Sequence, residues 1–246
     1  MGSGTAVRAW VLPDEPVAVR LMTTIWADTA GVHDDLDTPA DLDAWLDAVG
    51  VDRQGATATQ EELDRARDLR DSVRSLAAFV TNDERPWATP TTPAAPSSAA
   101  PSAPSAPSAA SAASAASAAS AASAPSSQVP SSWASSRRRE TDEAIAVINA
   151  TASELPRARL RLNAGGLELA TDAAASPVVA GLARVALEAQ HLLGEDAATL
   201  RACYAPGCVL YFVRSHPRRE WCSNACGNRA RAARHYQTVR SARAAK

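Results

Sequence analysis

Apolar residues recur at helical spacing through most of this chain. Val17, Leu21 and Ile25 stand at i, i+4 and i+8, which predicts a first helix from about Pro16 to Trp26. The acidic stretch that follows, Asp28 and then His33-Asp34-Asp35-Leu36-Asp37, reads as a solvated turn between helices, because its spacing matches no calcium loop. Thr38 with Pro39 is a helix start, a cap followed by proline at the first helical position. Leu42, Trp45, Leu46 and Val49 form its inward stripe, and Gly50 ends it. Thr59-Gln60-Glu61-Glu62 has the form of a capping box and opens a longer helix with Leu63, Ala66, Leu69, Val73, Leu76 and Val80 inward. Asp64, Arg65, Arg67, Asp68, Arg70 and Asp71 alternate in charge and read as its solvated face.

Farther on, Ala144, Ile145, Ile148 and Ala152 mark another helix. From Arg157 to Leu162 the period changes to two, with Ala158, Leu160 and Leu162 on one face and three arginines on the other. Asn163-Ala-Gly-Gly166 then turns the chain into Leu167-Glu-Leu169, so a β-hairpin is expected. The arginines read as the solvated side of a strand pair covered on its other face. Ser176-Pro177 caps a helix with Val178, Leu182, Val185, Ala189 and Leu192 inward, ended by Gly194, and a short helix from Glu195 to Arg201 is expected next.

Between these patterned regions, 87–136 has no charged residue, holds eight of the sixteen prolines and repeats Ser-Ala-Ala from Ser111 to Ser123. With almost no large apolar side chains it cannot offset its ordering entropy, and a disordered insertion within one domain is expected. The opening residues 1–15 are expected to be disordered as well.

Charge changes the picture at the C-terminus. From Arg201 onward there are ten Lys and Arg against one acidic residue, although the whole chain carries a formal −2. A compact basic module on an acidic body points to a polyanion partner. The same 46 residues hold all four cysteines, as Cys203-x₄-Cys208 and Cys222-x₃-Cys226. Two close pairs complete a tetrahedral Cys₄ zinc site, the first on a knuckle at Pro206-Gly207 and the second where Ser223 caps a new helix. Disulfides, in three connectivities, and a thiol redox switch are the competing uses. No charged-then-apolar leader opens the chain, so an oxidising compartment is not expected and a cytoplasmic location is.

The string Trp221-Cys222-Ser223-Asn224-Ala225-Cys226-Gly227-Asn228-Arg229, after a Cys-x₄-Cys knuckle, resembles the CGNR zinc-finger family of bacterial nucleic-acid-binding regulators. Relatives often carry an acidic residue behind the knuckle aromatics, where this chain has Phe212-Val213-Arg214-Ser215. Leu21-Met22-Thr23-Thr24, Asp35-Leu36-Asp37-Thr38-Pro39, Leu42-Asp43-Ala44-Trp45-Leu46 and Leu69-Arg70-Asp71-Ser72-Val73-Arg74 resemble the ABATE-type domain that precedes that finger. The expected architecture is mainly α with a small β-hairpin, an α+β body over 16–200 interrupted at 87–136, and a treble-clef-like Cys₄ finger over 201–246.

One structural Zn²⁺ held by Cys203, Cys208, Cys222 and Cys226 leaves no open coordination position. No phosphate loop, nucleophile elbow or free Cys–His pair occurs, so no enzyme activity is expected. Arg214, Arg218, Arg219, Arg229, Arg231, Arg234, His235 and Arg240 are the candidate nucleic-acid contacts, DNA before RNA. Ala225, Ala232, Tyr236 and Val239 share a stripe on the last helix that suits packing. A small-molecule effector on the N-terminal body and a pure protein-interaction role are the further readings.

Overall fold

The computed structural model describes residues 12–85, 131–171 and 176–244. The proline-rich and Ser-Ala-Ala part of the expected insert, and residues 1–11 of the expected N-terminal tail, lie outside them; Leu12 and Glu15, also expected in that tail, are buried.

Six helices and three antiparallel strand pairs make up the described chain. Helix α1 (Val17–Met22) is shorter than its periodicity predicts. The Thr23 and Thr24 hydroxyls donate to the carbonyls of Arg20 and Leu21, each at 2.8 Å, and close the helix there. Ile25 and Trp26 therefore leave as strand β1 (Ile25–Ala27), which pairs with β2 (Val32–Asp34). The acidic stretch is thus partly a hairpin strand rather than a plain turn. His33 stacks on Trp26 with ring centres 4.1 Å apart, and Asp35 accepts from the Trp26 indole at 2.8 Å.

Helices α2 (Pro39–Ala48) and α3 (Gln60–Thr81) begin where their caps predict. Thr38 with Asp41, and Thr59 with Glu62, form reciprocal capping boxes. Helix α4 (Ser131–Ser153) starts inside the stretch expected to be disordered, while Ala144 and Ile148 supply its buried contacts. Helix α5 (Pro177–Gly194) is capped by Ser176, whose hydroxyl accepts from Val179 N–H at 3.1 Å and also meets the Glu62 carboxylate. Gly181 sits in mid-helix because a Cβ there would stand 2.5 Å from Val51 Cγ1.

Helices α1 to α5 enclose one core of which Leu21, Leu42, Trp45, Leu69 and Leu182 are among the fully buried members. Strand β3 (Ala158–Asn163) and β4 (Gly166–Thr171) form the expected hairpin, with Leu160 opposite Leu169 and Leu162 opposite Leu167. Its leucine face, however, is not covered by the described residues, and those four leucines are 66–79% exposed.

Past α5 the chain makes a 3₁₀ turn (Ala197–Thr199) and then strand β5 (Leu200–Ala202), where a short helix was expected. β5 pairs with β6 (Tyr211–Val213), and the first cysteine pair lies in the loop between them. Leu200, Ala202 and Tyr211 belong to the main core. Helix α6 (Asn224–Ala244) completes the described chain, and no described helix is long and apolar enough to cross a membrane.

Candidate metal centre and basic helix

The knuckle is shaped by its own backbone. Cys203 N–H donates to Leu210 O and Cys208 N–H to Ala205 O, both at 2.9 Å, which closes the loop between β5 and β6. Gly207 takes φ +72°, a left-handed turn that residues with a Cβ adopt at a cost. The second pair sits at the start of α6, where the Ser223 hydroxyl accepts from Cys226 N–H at 3.3 Å. Thiolates at that end gain from the positive end of the helix dipole.

These two elements bring the four cysteines together. All are buried, and their sulfurs lie within 4.8 Å of one another. Cys208 and Cys222 sulfurs are 3.8 Å apart and those of Cys222 and Cys226 are 3.4 Å apart. Four sulfurs bonded at about 2.3 Å around a tetrahedral ion stand about 3.8 Å from each other, so the set fits zinc. Crowding makes the thiols unequal. Hydrogen bonds from Cys203, Cys208 and Cys222 hold Cys226 below the ordinary thiol value, while contacts with neighbouring thiols push Cys208 and Cys222 up. All four become thiolates only with a cation among them. With four protein ligands the zinc ion is structural: it cross-links the knuckle to the start of α6.

Around the sulfurs, arginines bind the metal module together. Arg219 donates to Val213 O and Cys222 O, each at 2.9 Å, and lies over the Phe212 ring. It also makes a 2.6 Å ion pair with the buried Glu15, whose second oxygen accepts from Val213 N–H. Arg229 Nη2 lies 3.0 Å from Cys226 Sγ. That contact raises the guanidinium's proton affinity, against the opposing effect of burial. Arg219 and Arg229, two of the residues the sequence offers to nucleic acid, are thus engaged in the module itself.

The most consequential partner comes from the body. Asn82 ends α3 in the left-handed conformation, φ 50°, and turns the chain so that Asp83 and Arg85 meet the knuckle. Arg85 Nη1 donates to the carbonyls of Cys203 and Cys208 at 2.8 and 2.6 Å. Asp83 clamps the same guanidinium at 2.6 Å and accepts from the Tyr211 hydroxyl at 2.8 Å. Burial acts to raise the Asp83 carboxyl, but the bonds from Arg85 and Tyr211 outweigh it and hold it below the usual range. Arg74, buried beneath the Tyr211 ring, donates to Met22 O and Val209 O. None of Asp83, Arg85 and Arg74 stands out in the sequence as part of the site. The one local signal was a helix ending in Asn-Asp beside an arginine.

Residues 199–238 match the family model of the CGNR zinc finger. Residues 15–133 match the ABATE family model, described as "putative stress-induced transcription regulator". The chain joins an ABATE domain to a CGNR zinc finger. No curated protein matches it. Each letter of the CGNR string has a physical task here. Cys226 is a ligand. Gly227 is buried, and a Cβ on it would stand 3.1 Å from Trp221 Cδ1, so the indole lies where a side chain would be. Asn228 is exposed and accepts from Arg231, and Arg229 faces the Cys226 sulfur.

Beyond the CGNR string the helix leaves the fold. Cys226, Gly227 and Ala230 are its buried residues. Of the expected packing stripe, Ala225 is exposed within the first turn, Ala232 and Tyr236 are exposed beyond the two turns that hold the buried residues, and Val239 is half-buried. Arg231, Arg234, His235 and Arg240 are exposed on the projecting part, and Arg214 and Arg218 are exposed in the segment before Trp221. Phe212 is buried and Trp221 half-buried against the sulfur cluster, while Tyr211 is buried in the main core.

Proposed function

We propose that this protein is a cytoplasmic transcriptional regulator that binds DNA through the projecting part of α6. The observation that carries this reading is the state of that helix. From Arg231 onward it holds Arg231, Arg234, Arg240 and Arg243 in solvent, and among the described residues no carboxylate pairs with any of them. An uncompensated basic helix of this length suits a major groove, with Arg231, Arg234 and His235 toward base edges. Arg214 and Arg218 flank it as phosphate contacts. Burial of Tyr211 and Phe212 favours DNA over RNA, since neither ring is offered to an unstacked base. The zinc is the scaffold that fixes the angle of α6, and the protein acts as a binder rather than a catalyst.

A groove of about 690 Å³ between Leu12–Pro16 and the start of α6, reached by Arg218 and Arg231, is the candidate place for an effector. The test of DNA binding is a titration of the zinc-loaded full chain with duplex DNA, single-stranded RNA and heparin across a salt series. With roughly five phosphates neutralised, the log–log slope on duplex DNA is expected near −4 to −5. Equal binding to all three polyanions would reduce the reading to bare electrostatics, and no binding at low salt would overturn it.

A further inference from the structure

The β3–β4 hairpin contributes no residue to either hydrophobic core. Both of its faces are in solvent. One carries Arg159 and Arg161 with Glu168, as solubility requires. The other carries two cross-strand leucine pairs, Leu160 with Leu169 and Leu162 with Leu167, at 66%, 70%, 79% and 72% exposure. A two-stranded hairpin standing alone is marginal in water and needs a third layer over its apolar face. Four leucines so exposed put on the order of 400 Å² of apolar surface in water, as much as the largest patch of an ordinary monomer.

We propose that this leucine face is a homodimer interface, in which the hairpins of two copies stack face to face about a two-fold axis. Three observations select a second copy as the occupant. The four leucines present no charge and no hydrogen-bonding group, so their complement is another apolar face, and a two-fold axis makes the face its own complement. Two such patches with their flanking strands bury about 1,000 Å² in total, the lower bound for a specific interface. Stacking also leaves the arginine face in water. Pairing the β3 edges side by side would instead set arginines against arginines across the new ladder. The dimer holds two α6 helices in one particle, and it forms whether or not α6 binds DNA.

The experiment is sedimentation velocity on the zinc-loaded full chain over a concentration series, with Leu160→Thr/Leu169→Thr and Arg159→Glu measured beside it. Threonine keeps the strand preference, and both leucines are exposed, so zinc content and melting temperature should stay at native values. The native protein is expected to dimerise, and the double-threonine variant to dissociate at concentrations at least about tenfold higher. Arg159→Glu, on the opposite face, is expected to dimerise as the native chain does. A native protein that is monomeric throughout overturns the proposal, as does a dimer that survives the threonine changes. If deleting 91–130 turns a monomer into a leucine-dependent dimer, the face belongs to the chain's own residues and the proposal also fails.

Discussion

Arg229 Nη2 stands 3.0 Å from Cys226 Sγ, so a guanidinium that the sequence offers to a phosphate is turned onto a thiolate. Partners of this kind orient a ligand and temper its charge. Arg229→Ala is expected to weaken zinc binding by about 10- to 100-fold, read by competition with a chromophoric chelator. The salt slope of DNA binding in the zinc-saturated variant should stay within about one unit of native.

The metal itself is tested by stoichiometry. Purified protein should carry one zinc per chain, as expected for four buried sulfurs within 4.8 Å. Cys222→Ser should lose the metal and unfold the β5–β6 loop with the start of α6, because binding and folding are one free energy in such a site. Freshly reduced, folded protein without zinc on elemental analysis would refute this.

The Asp83 clamp makes a prediction with a sign in pH. Asp83→Asn removes the carboxylate that meets the Arg85 guanidinium at 2.6 Å beneath the knuckle and should cost about 3 kcal/mol at neutral pH, measured by urea unfolding. The folded carboxyl lies below its ordinary value, so its contribution is fully present above about pH 4. It is lost as pH falls through the lower folded value. The gap between the native protein and Asp83→Asn should therefore be constant near neutrality and close in acid. A gap that widens in acid would show that the clamp is not ionic.

The two classes of arginine separate in binding assays. Arg218→Ala should weaken all duplex sequences alike and flatten the salt slope by about one unit, as for one phosphate contact. Arg234→Ala should reduce discrimination between sites by about 1–3 kcal/mol if its side chain reaches a base edge. Arg219→Ala should instead lower the melting temperature, since Glu15 is 2% exposed at its side chain and would lose its cation.

What could be read from the chain alone follows the range of the interactions. Thr38, Thr59 and Ser176 announce helix starts because each cap acts on a backbone three residues away. The cysteine pairs, four or five apart, are equally local. Ile25 continued a helical period but ended in a strand, because two threonine hydroxyls interrupt the helix just before it. Arg70 sat in a charged run and is nonetheless 3% exposed, since Asp34, distant in sequence, receives it at 2.6 Å. The Tyr236 stripe failed for the converse reason: amphipathic spacing indicates a face, but not whether anything stands opposite it. The Asp83–Tyr211 bond joins residues 128 apart, and nothing near either one names the other.

Arg85 holding the Cys203 and Cys208 carbonyls gives the two family segments a common fate. The CGNR match begins at residue 199, yet the cation that closes its knuckle stands at residue 85, in the ABATE segment. A finger excised at the family boundary, or grafted behind an unrelated body, would leave Arg85 and Asp83 behind and expose the Tyr211 side of its hairpin. The transplantable piece is therefore discontinuous: the end of α3 has to travel with the cysteines.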